Sequence, residues 1–274
     1  MILDAGTAGT VEFPSLDRLG PDLLVVAWWR RALSLAAPFA LALGYFACAA
    51  DHRWGAAIAC TMLLTFLTYG SVSHDLVHRT LRLPPVVNDA LLCAIELLSL
   101  RSGHAYRVSH LNHHAHFPDA DDLEGAAAAM TWWRALIDGM TLQPRLWCLA
   151  MRRQRRDRAW IMAEGAGVVI LLGAAMAAIP WTVAPAGYAA LMIAGSWVFP
   201  FVTSFIPHDS QGRTTLTRTR LFRGRILSIV ALEHLYHLEH HLYPQVPHHN
   251  WARLAQRLDP YFERAGVRPV RLLF

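Results

Sequence analysis

The sequence contains no lysine, so all 25 of its basic residues are arginine. Charged residues make up only 16% of the chain, compared with about 25% in an average soluble protein. The first 23 residues lack a basic segment followed by an apolar core, which excludes a typical secretory signal peptide. A linker, a repeat and a low-complexity tract are also missing. We therefore expect a single domain over residues 1–274, with a polar lead-in over residues 1–22.

Cysteine is scarce, and its spacing excludes two kinds of site. None of the four cysteines forms a C-x-x-C pair, and three of them lie in apolar runs. This pattern fits neither a disulfide framework nor a zinc–thiolate site. We expect buried, small hydrophobic side chains at Cys48, Cys60, Cys93 and Cys148.

Apolar residues are abundant, at 54% of the chain with a mean hydropathy of +0.28. They form four long runs, roughly 32–50, 54–72, 160–179 and 186–206. Each run is near the ~20 residues that a helix needs to cross the hydrocarbon core of a bilayer. The segment 86–100 is shorter and carries two acidic residues, so we interpret it as interfacial or re-entrant. The sequence predicts an all-α integral membrane protein with four transmembrane helices.

Arginine is distributed very unevenly around these runs. Segment 79–158 holds 11 arginines, the tail after residue 206 holds 10, the N-terminus holds 3, and only Arg53 lies between the first two runs. Arginine-rich flanks favour the cytoplasmic side of a membrane. We therefore predict that both termini are cytoplasmic. The arginines flank apolar runs and are not interleaved with exposed aromatic residues, so a nucleic-acid partner is not expected.

Histidine is enriched, with 15 residues in three clusters and a few single positions. The clusters are HDLVH at 74–78, HLNHH at 110–114 and HLEHH at 237–241. Spacings of three and four residues place side chains on one face of a helix. All three clusters, and His208 after the fourth run, fall on the side predicted to be cytoplasmic. A histidine-rich helical cap is therefore expected on that face of the membrane.

The number of histidines exceeds the needs of one catalytic zinc ion, which takes about three protein ligands. This number suits two metal ions with four to five ligands each. Adjacent histidines of a box point about 100° apart around the helix, so one box can supply ligands to both ions. Neutral imidazole suits iron, copper, nickel or zinc. The candidate ligands are His74, His78, His110, His113, His114, His208, His237, His240 and His241.

One HxxxH box followed by two HxxHH boxes resembles the integral-membrane fatty acid desaturase superfamily. That superfamily includes acyl-lipid desaturases, lipid hydroxylases, and carotenoid ketolases and hydroxylases. The stretch YHLEHHLYPQVPHHN (236–250) is similar to the third box of acyl-lipid desaturases, and HLNHHAHFPDADD (110–122) is similar to the second box. The resemblance covers roughly residues 70–270.

The resemblance implies a non-haem di-iron centre that uses dioxygen to desaturate or hydroxylate a long-chain acyl lipid. A carotenoid of the β-carotene type is the alternative substrate. His208 matches in position an additional ligand that some desaturases carry before the third box. The chain has no fused cytochrome domain, so we expect a separate electron donor of ferredoxin or cytochrome type.

Several other polar residues are candidates for supporting roles. Asp75 and Glu239 lie inside the first and third boxes, where a carboxylate could accept the second N–H of a ligating histidine. Asp119, Asp121 and Asp122 follow the second box, and we interpret them as part of a solvated loop. The alternative is that they accept hydrogen bonds from ligating histidines. His248 and His249 are expected at the surface or at lipid headgroups. The remaining unassigned positions are His234, expected to pack on a helix, and Glu164, which lies in the third apolar run.

Two other functions stay open on the sequence alone. A zinc-dependent membrane hydrolase would use the HDLVH spacing, but the glutamate of H-E-x-x-H is missing. A metal transporter would place its site near the bilayer midplane, whereas these histidines lie outside the apolar runs.

Overall fold

A computed structural model describes residues 2–4, 10–119, 121–224 and 234–272. Helices dominate this part of the chain, and the short strands pair two by two, β1 antiparallel with β2 and β3 parallel with β4. The elements are β1 (Ile2–Asp4), β2 (Thr10–Glu12), α1 (Leu16–Leu19), α2 (Trp28–Ala50), α3 (Trp54–Leu67), α4 (Ser73–His78), α5 (Pro85–Leu98), α6 (Gly103–His116), α7 (Trp132–Arg153), α8 (Arg158–Ala177), α9 (Ala184–Trp197), α10 (Thr215–Arg218), β3 (Phe222–Arg223), α11 (His237–Leu242), α12 (Trp251–Arg264) and β4 (Val270–Arg271).

Four helical stretches in the described residues are long and apolar enough to cross a membrane. They comprise Pro21–Ala50, Trp54–His78, Arg158–Ala177 and Ala184–Phe205. The second joins α3 to α4 through a π-helical turn (Thr68–Val72), and the fourth extends α9 through another (Pro200–Phe205). The predicted class, an all-α protein with four candidate membrane helices and a histidine-rich cluster, is confirmed.

The helices α2 and α3 form a hairpin because the polar DHR sequence breaks the apolar run between them. His52 at this break adopts a left-handed backbone conformation with φ of 58°. The third and fourth candidate membrane helices are separated in the same way, since α8 ends before the Pro180–Trp181 sequence. Both hairpins carry their chain ends back to the same end of the bundle.

Two clusters of buried side chains lie at that end of the bundle, one of them inside the helical cap that is formed by the N-terminal segment, α11 and α12. Phe13, Leu238, Leu254 and Phe262 belong to the first cluster, which joins the N-terminal segment to α11 and α12. The second cluster joins Leu76 of α4 to residues of α5 and of the π-helical turn at 68–72. Contacts between imidazoles bring α11, which is distant in sequence, close to α4 and α6.

The amphipathic helix α7 lies against α9, and its C-terminal end is basic. A Cβ atom on Gly139 would overlap the backbone carbonyl of Trp197, so glycine permits the close approach. The cysteines differ from the expectation of full burial: Cys148 of α7 is exposed and the other three are half-buried. They lie on helix faces that the protein interior covers only in part.

Candidate metal centre

Three short helical segments and one turn supply the nine candidate ligands. His74 and His78 lie one turn apart on α4, and α6 and α11 each carry a complete HxxHH box. His208 follows the π-helical turn at 200–205, and its Nδ1 lies 3.2 Å from the backbone oxygen of Ser204. The structure brings all nine side chains together and divides them into two groups.

Five histidines form the first group, called group one here: His74, His78, His110, His114 and His240. Four Nε2 atoms form a closed cycle, with separations of 3.0 Å (74–110), 3.1 Å (110–114), 2.8 Å (114–240) and 3.0 Å (240–74). The ring of His78 lies 4.7–5.0 Å from each of the other four rings, so it covers one side of the cycle.

Four histidines form group two: His113, His208, His237 and His241. The Nε2 atom of His208 lies 3.1 Å from that of His113, 3.1 Å from that of His237 and 3.2 Å from that of His241. The Nε2 atoms of His237 and His241 are 3.1 Å apart. His208 is therefore the central member of this group, although it belongs to none of the three boxes.

Each HxxHH box contributes to both groups. His114 and His240 belong to group one, and their neighbours His113 and His241 belong to group two. Consecutive residues on a helix point about 100° apart, because the α-helix has about 3.6 residues per turn. The rings of His114 and His241 stack with their centroids 4.3 Å apart, so the two groups are in direct contact.

Carboxylates fix the orientation of one histidine in each group. The Nδ1 of His110 lies 2.7 Å from Oε1 of Glu124, and the Nδ1 of His113 lies 2.7 Å from Oδ2 of Asp122. In each pair the ring N–H donates to the carboxylate. The Nε2 atom of each ring is then left with a lone pair directed at its group.

Burial keeps most of these imidazoles neutral. It lowers the pKa of His114, His208, His240 and His241, and the neighbouring imidazoles lower the pKa further. His113 differs: burial lowers its pKa, but the hydrogen bond to Asp122 and the charge of Glu124 outweigh that effect, so its pKa is raised. A neutral imidazole is the form that binds a metal ion.

The donor atoms fit a bound cation. Neutral Nε2 atoms about 3 Å apart direct lone pairs at one another, which is unfavourable unless a positive ion lies between them. Two imidazole nitrogens bound at right angles to one ion, at about 2.1 Å each, are roughly 3.0 Å apart. The observed Nε2 separations in the two groups span 2.8–3.2 Å. Each group can therefore hold one metal ion.

The structure corrects the role expected for the carboxylates inside the boxes. Asp75 contacts His248 rather than a histidine of either group: its Oδ2 lies 2.7 Å from Nδ1 of His248. Glu239 lies 2.7 Å from the guanidinium of Arg223. Both residues follow a ligand candidate by one or two positions, so they point to a different face of the helix. Burial raises the pKa of Glu239 to about 7, although Arg223 opposes the shift.

The expectation for His248 and His249 was also wrong. Their side chains are only 10% and 16% exposed, and the backbone N–H and the ring of His248 both donate to Asp75. Asp75 thereby ties the segment after the third box to the first box. The side chain of His234 lies outside the described residues.

Sequence reasoning missed Glu124 and left Asp122 as a loop residue by default. Asp122 is 1% exposed and Glu124 is 5% exposed, whereas Asp119 and Asp121 face solvent. The acidic run directly after the second box was the available signal. Trp251, also missed, packs its ring against His74 and His240 at centroid distances of 5.3 and 4.9 Å.

Glu164, whose role the sequence left open, anchors α6 to α8. Its carboxylate accepts hydrogen bonds from the hydroxyl of Ser102 at 2.6 Å and from the backbone N–H of His104 at 3.1 Å. The Nδ1 of His104 lies 2.7 Å from its other oxygen. The buried charge is thus compensated at the start of the helix that carries the second box.

Two comparisons with known proteins bear on this arrangement. A search of curated protein sequences gave no match to the chain. The pattern of the family described as fatty acid desaturase matches residues 52–271, which include all nine candidate ligands. The match covers most of the chain, and the protein therefore belongs to the fatty acid desaturase family of membrane oxidoreductases.

Proposed function

We propose that the protein is a non-haem di-iron enzyme that uses dioxygen to desaturate or hydroxylate a long-chain acyl lipid of the membrane. The observation that carries the proposal is the pair of touching histidine groups, with five and four inward-facing imidazoles. When bound, the two irons would supply the oxidising power that breaks an unactivated C–H bond. His74, His78, His110, His114 and His240 would hold one iron, and His113, His208, His237 and His241 the other.

The number and placement of the histidines argue against the two rival functions. A catalytic zinc ion takes about three protein ligands, and both groups exceed that number. A transporter needs a site from which the ion can leave, usually between discontinuous helices near the bilayer midplane. Here most of the ligand candidates are buried, and Glu124 and Asp122 hold two of them rigidly.

A groove of about 410 Å³ lies between α3 and α9, and we call it the acyl groove. It supports an acyl chain as the substrate. Its walls are apolar, and its residues Tyr69 and Thr203 lead toward the two histidine groups. The hydroxyl of Tyr69 lies 3.5 Å from Glu124, the partner of His110. Thr203 precedes Ser204, whose carbonyl contacts His208. A chain in this groove would be held near both groups, and such positioning supplies much of the rate of a C–H oxidation.

The reaction balance requires a source of electrons. Desaturation converts a CH₂–CH₂ unit and dioxygen, with two electrons and two protons, into an alkene and two waters. Hydroxylation uses the same inputs and gives an alcohol and one water. We propose a separate donor protein of ferredoxin or cytochrome type for both electrons.

Metal analysis and product analysis together test the proposal. Purified protein should contain about two irons per chain, in line with one ion in each group. Supplied with a reducing ferredoxin system, oxygen and membrane lipids, it should give acyl chains with an added double bond or hydroxyl, seen by mass spectrometry.

The same assay with β-carotene separates the two substrate classes. Oxygenated carotenoid with unchanged acyl chains would transfer the assignment to a carotenoid ketolase or hydroxylase. One zinc ion per chain, or no oxygen-dependent product from either substrate, would refute the di-iron proposal.

A further inference from the structure

Five arginines lie within seven residues where α7 passes into α8. The sequence RRQRRDR covers residues 152–158, and Asp157 is its single acidic residue. We call this stretch the arginine cluster. Arg152 and Arg153 end α7, and Arg158 begins α8. All five arginines are exposed, so the surface of the protein is strongly basic here.

Most of this positive charge has no counterpart nearby. Arg153 is engaged, since it contacts Asp121 and the side chain of Asn112 in the second histidine box. Within the part of the chain that the structure describes, three guanidinium groups of the cluster make no hydrogen bond and no ion pair. They belong to Arg152, Arg155 and Arg156.

An exposed apolar stripe runs along α7 toward the arginine cluster. One face of α7 is buried against the other helices and includes Ala135, Gly139 and Leu142. Apolar residues on the opposite face are exposed and recur every three or four positions, a spacing that places them in one row along the helix. This exposed stripe consists of Trp133, Ile137, Met140, Pro144 and Cys148.

The stripe and the cluster meet at the end of a candidate membrane-spanning helix. That helix, α8, begins at Arg158. Cys148 lies one turn before Arg152, which is about 6 Å along the helix axis. Arginines directly at the end of a membrane helix lie at the level of the lipid headgroups. A helix that exposes apolar side chains on one face and arginine beside them is typical of the membrane interface.

An occupant of this surface must satisfy both features together. A phosphate group accepts paired hydrogen bonds from guanidinium groups, and an acyl chain can cover the exposed stripe. A soluble acidic protein could neutralise the arginines, but it would leave the apolar stripe beside them uncovered. The combination of unpaired arginines and exposed apolar side chains therefore favours a phospholipid with net negative charge.

We propose that the arginine cluster and the exposed stripe of α7 bind anionic phospholipids of the bilayer. The headgroup phosphate accepts hydrogen bonds from Arg152, Arg155 and Arg156, and the acyl chains lie along the stripe. This surface is separate from the acyl groove, and its occupancy does not depend on metal or turnover.

Native mass spectrometry of the purified full-length protein in detergent tests the preference for anionic lipid. The probes are phosphatidylglycerol and phosphatidylcholine with identical acyl chains. The protein should bind more phosphatidylglycerol. A variant that combines Arg152→Gln, Arg155→Gln and Arg156→Gln should lower this preference by about fivefold or more, because one arginine at the headgroups contributes roughly that factor. Binding of phosphatidylcholine should not change.

The matched control removes the same charge elsewhere in the chain. It replaces three exposed arginines outside the cluster by glutamine, and it should keep the preference for phosphatidylglycerol. These arginines are Arg213, Arg268 and Arg271. Arg153 is left intact in both variants because of its contact with the second box.

Cys148 allows the lipid to be located, because it is exposed on the stripe next to the cluster. A fluorescent probe is attached to Cys148 in protein whose other three cysteines are replaced by alanine, and the labelled protein is placed in bilayers. Spin-labelled phosphatidylglycerol should quench the probe more strongly than spin-labelled phosphatidylcholine. The triple arginine variant should remove this difference.

Three results would overturn the proposal. They are equal binding of the two lipids by the unsubstituted protein, an unchanged preference in the triple variant, and a Cys148 probe that neither lipid quenches. If the triple variant kept its lipid preference but lost binding of an acidic ferredoxin, the arginine cluster would belong to the electron donor instead. Absence of iron or product would refute the proposed chemistry and leave the lipid preference untouched.

Discussion

At the scale of single residues, the behaviour of each imidazole depends on what its second nitrogen contacts. Glu124 and Asp122 each accept the Nδ1–H of one histidine, and Ser204 offers its backbone oxygen to His208. These contacts decide which nitrogen keeps its lone pair and which way it points. Substitutions at the supporting acceptors should therefore change metal affinity without removing any ligand.

Glu124 provides the first prediction. Glu124→Leu removes the acceptor for His110 and should weaken metal binding by roughly 10–100-fold, while Glu124→Gln keeps an amide acceptor and should give a smaller loss. Retained iron after graded chelator treatment is the measurement. The control is Asp121→Asn, since Asp121 is exposed and contacts Arg153 instead of a candidate ligand. Unchanged retention in Glu124→Leu would contradict the orienting role.

His208 provides the second prediction, because it lies at the centre of group two. His208→Ala should lower the iron content from about two ions per chain toward one, together with loss of activity. His116→Ala is the matched control: His116 also lies on a helix carrying a box, but it is exposed and belongs to neither group. Full iron content and turnover in His208→Ala would remove this residue from the ligand set.

At the scale of helices, the site depends on close packing between the helices that carry candidate ligands and the helices beside them. α6 presents His110, His113 and His114 to both groups, and its own position depends on the contacts of Glu164 from α8. α7 packs closely against the backbone of α9 at Gly139. The helices that carry no ligand candidates thus hold those that do.

Gly139 provides the third prediction. Gly139→Ala should push α7 away from the backbone of Trp197 and destabilise the protein by about 1–3 kcal/mol, the usual cost of overpacking. The matched control is Gly173→Ala on α8, where a Cβ atom meets nothing within 4 Å and stability should be unchanged. The midpoint of thermal unfolding in detergent measures both. Equal midpoints for the two variants would show that α7 can shift freely.

At the scale of the whole molecule, the nine candidate ligands lie together at one end of the helical bundle. Each pair of candidate membrane helices leaves and returns to this end, and the cap covers it. The strong asymmetry of arginine favours the cytoplasm for this end. Under the proposed function, the electron donor would then reach the site from the cytoplasm, while the lipid would arrive from the bilayer.

Topology provides the fourth prediction. We expect a reporter fused after residue 274 to be active in the cytoplasm and a reporter inserted near Trp181 to be active on the opposite side. An insertion in the polar break at residues 51–53 should match the Trp181 reporter, because both breaks lie at the same end of their hairpins. A cytoplasmic signal from the Trp181 position would contradict this map.

The sequence by itself determined the architecture and the set of candidate ligands. Apolar runs of about 20 residues favour membrane helices, and histidines spaced three and four residues apart lie on one face of a segment that is helical. Local spacing and composition carry this information. The four candidate membrane helices and the helical boxes in the structure follow from it.

Only the tertiary structure decided which residues support those ligands. Asp75 lies beside His74 in sequence, yet it holds His248, while Glu124 supports His110 from a loop. Adjacent residues on a helix point in different directions, so closeness in sequence does not predict contact. The division into groups of five and four and the acyl groove likewise arise where segments distant in sequence pack together.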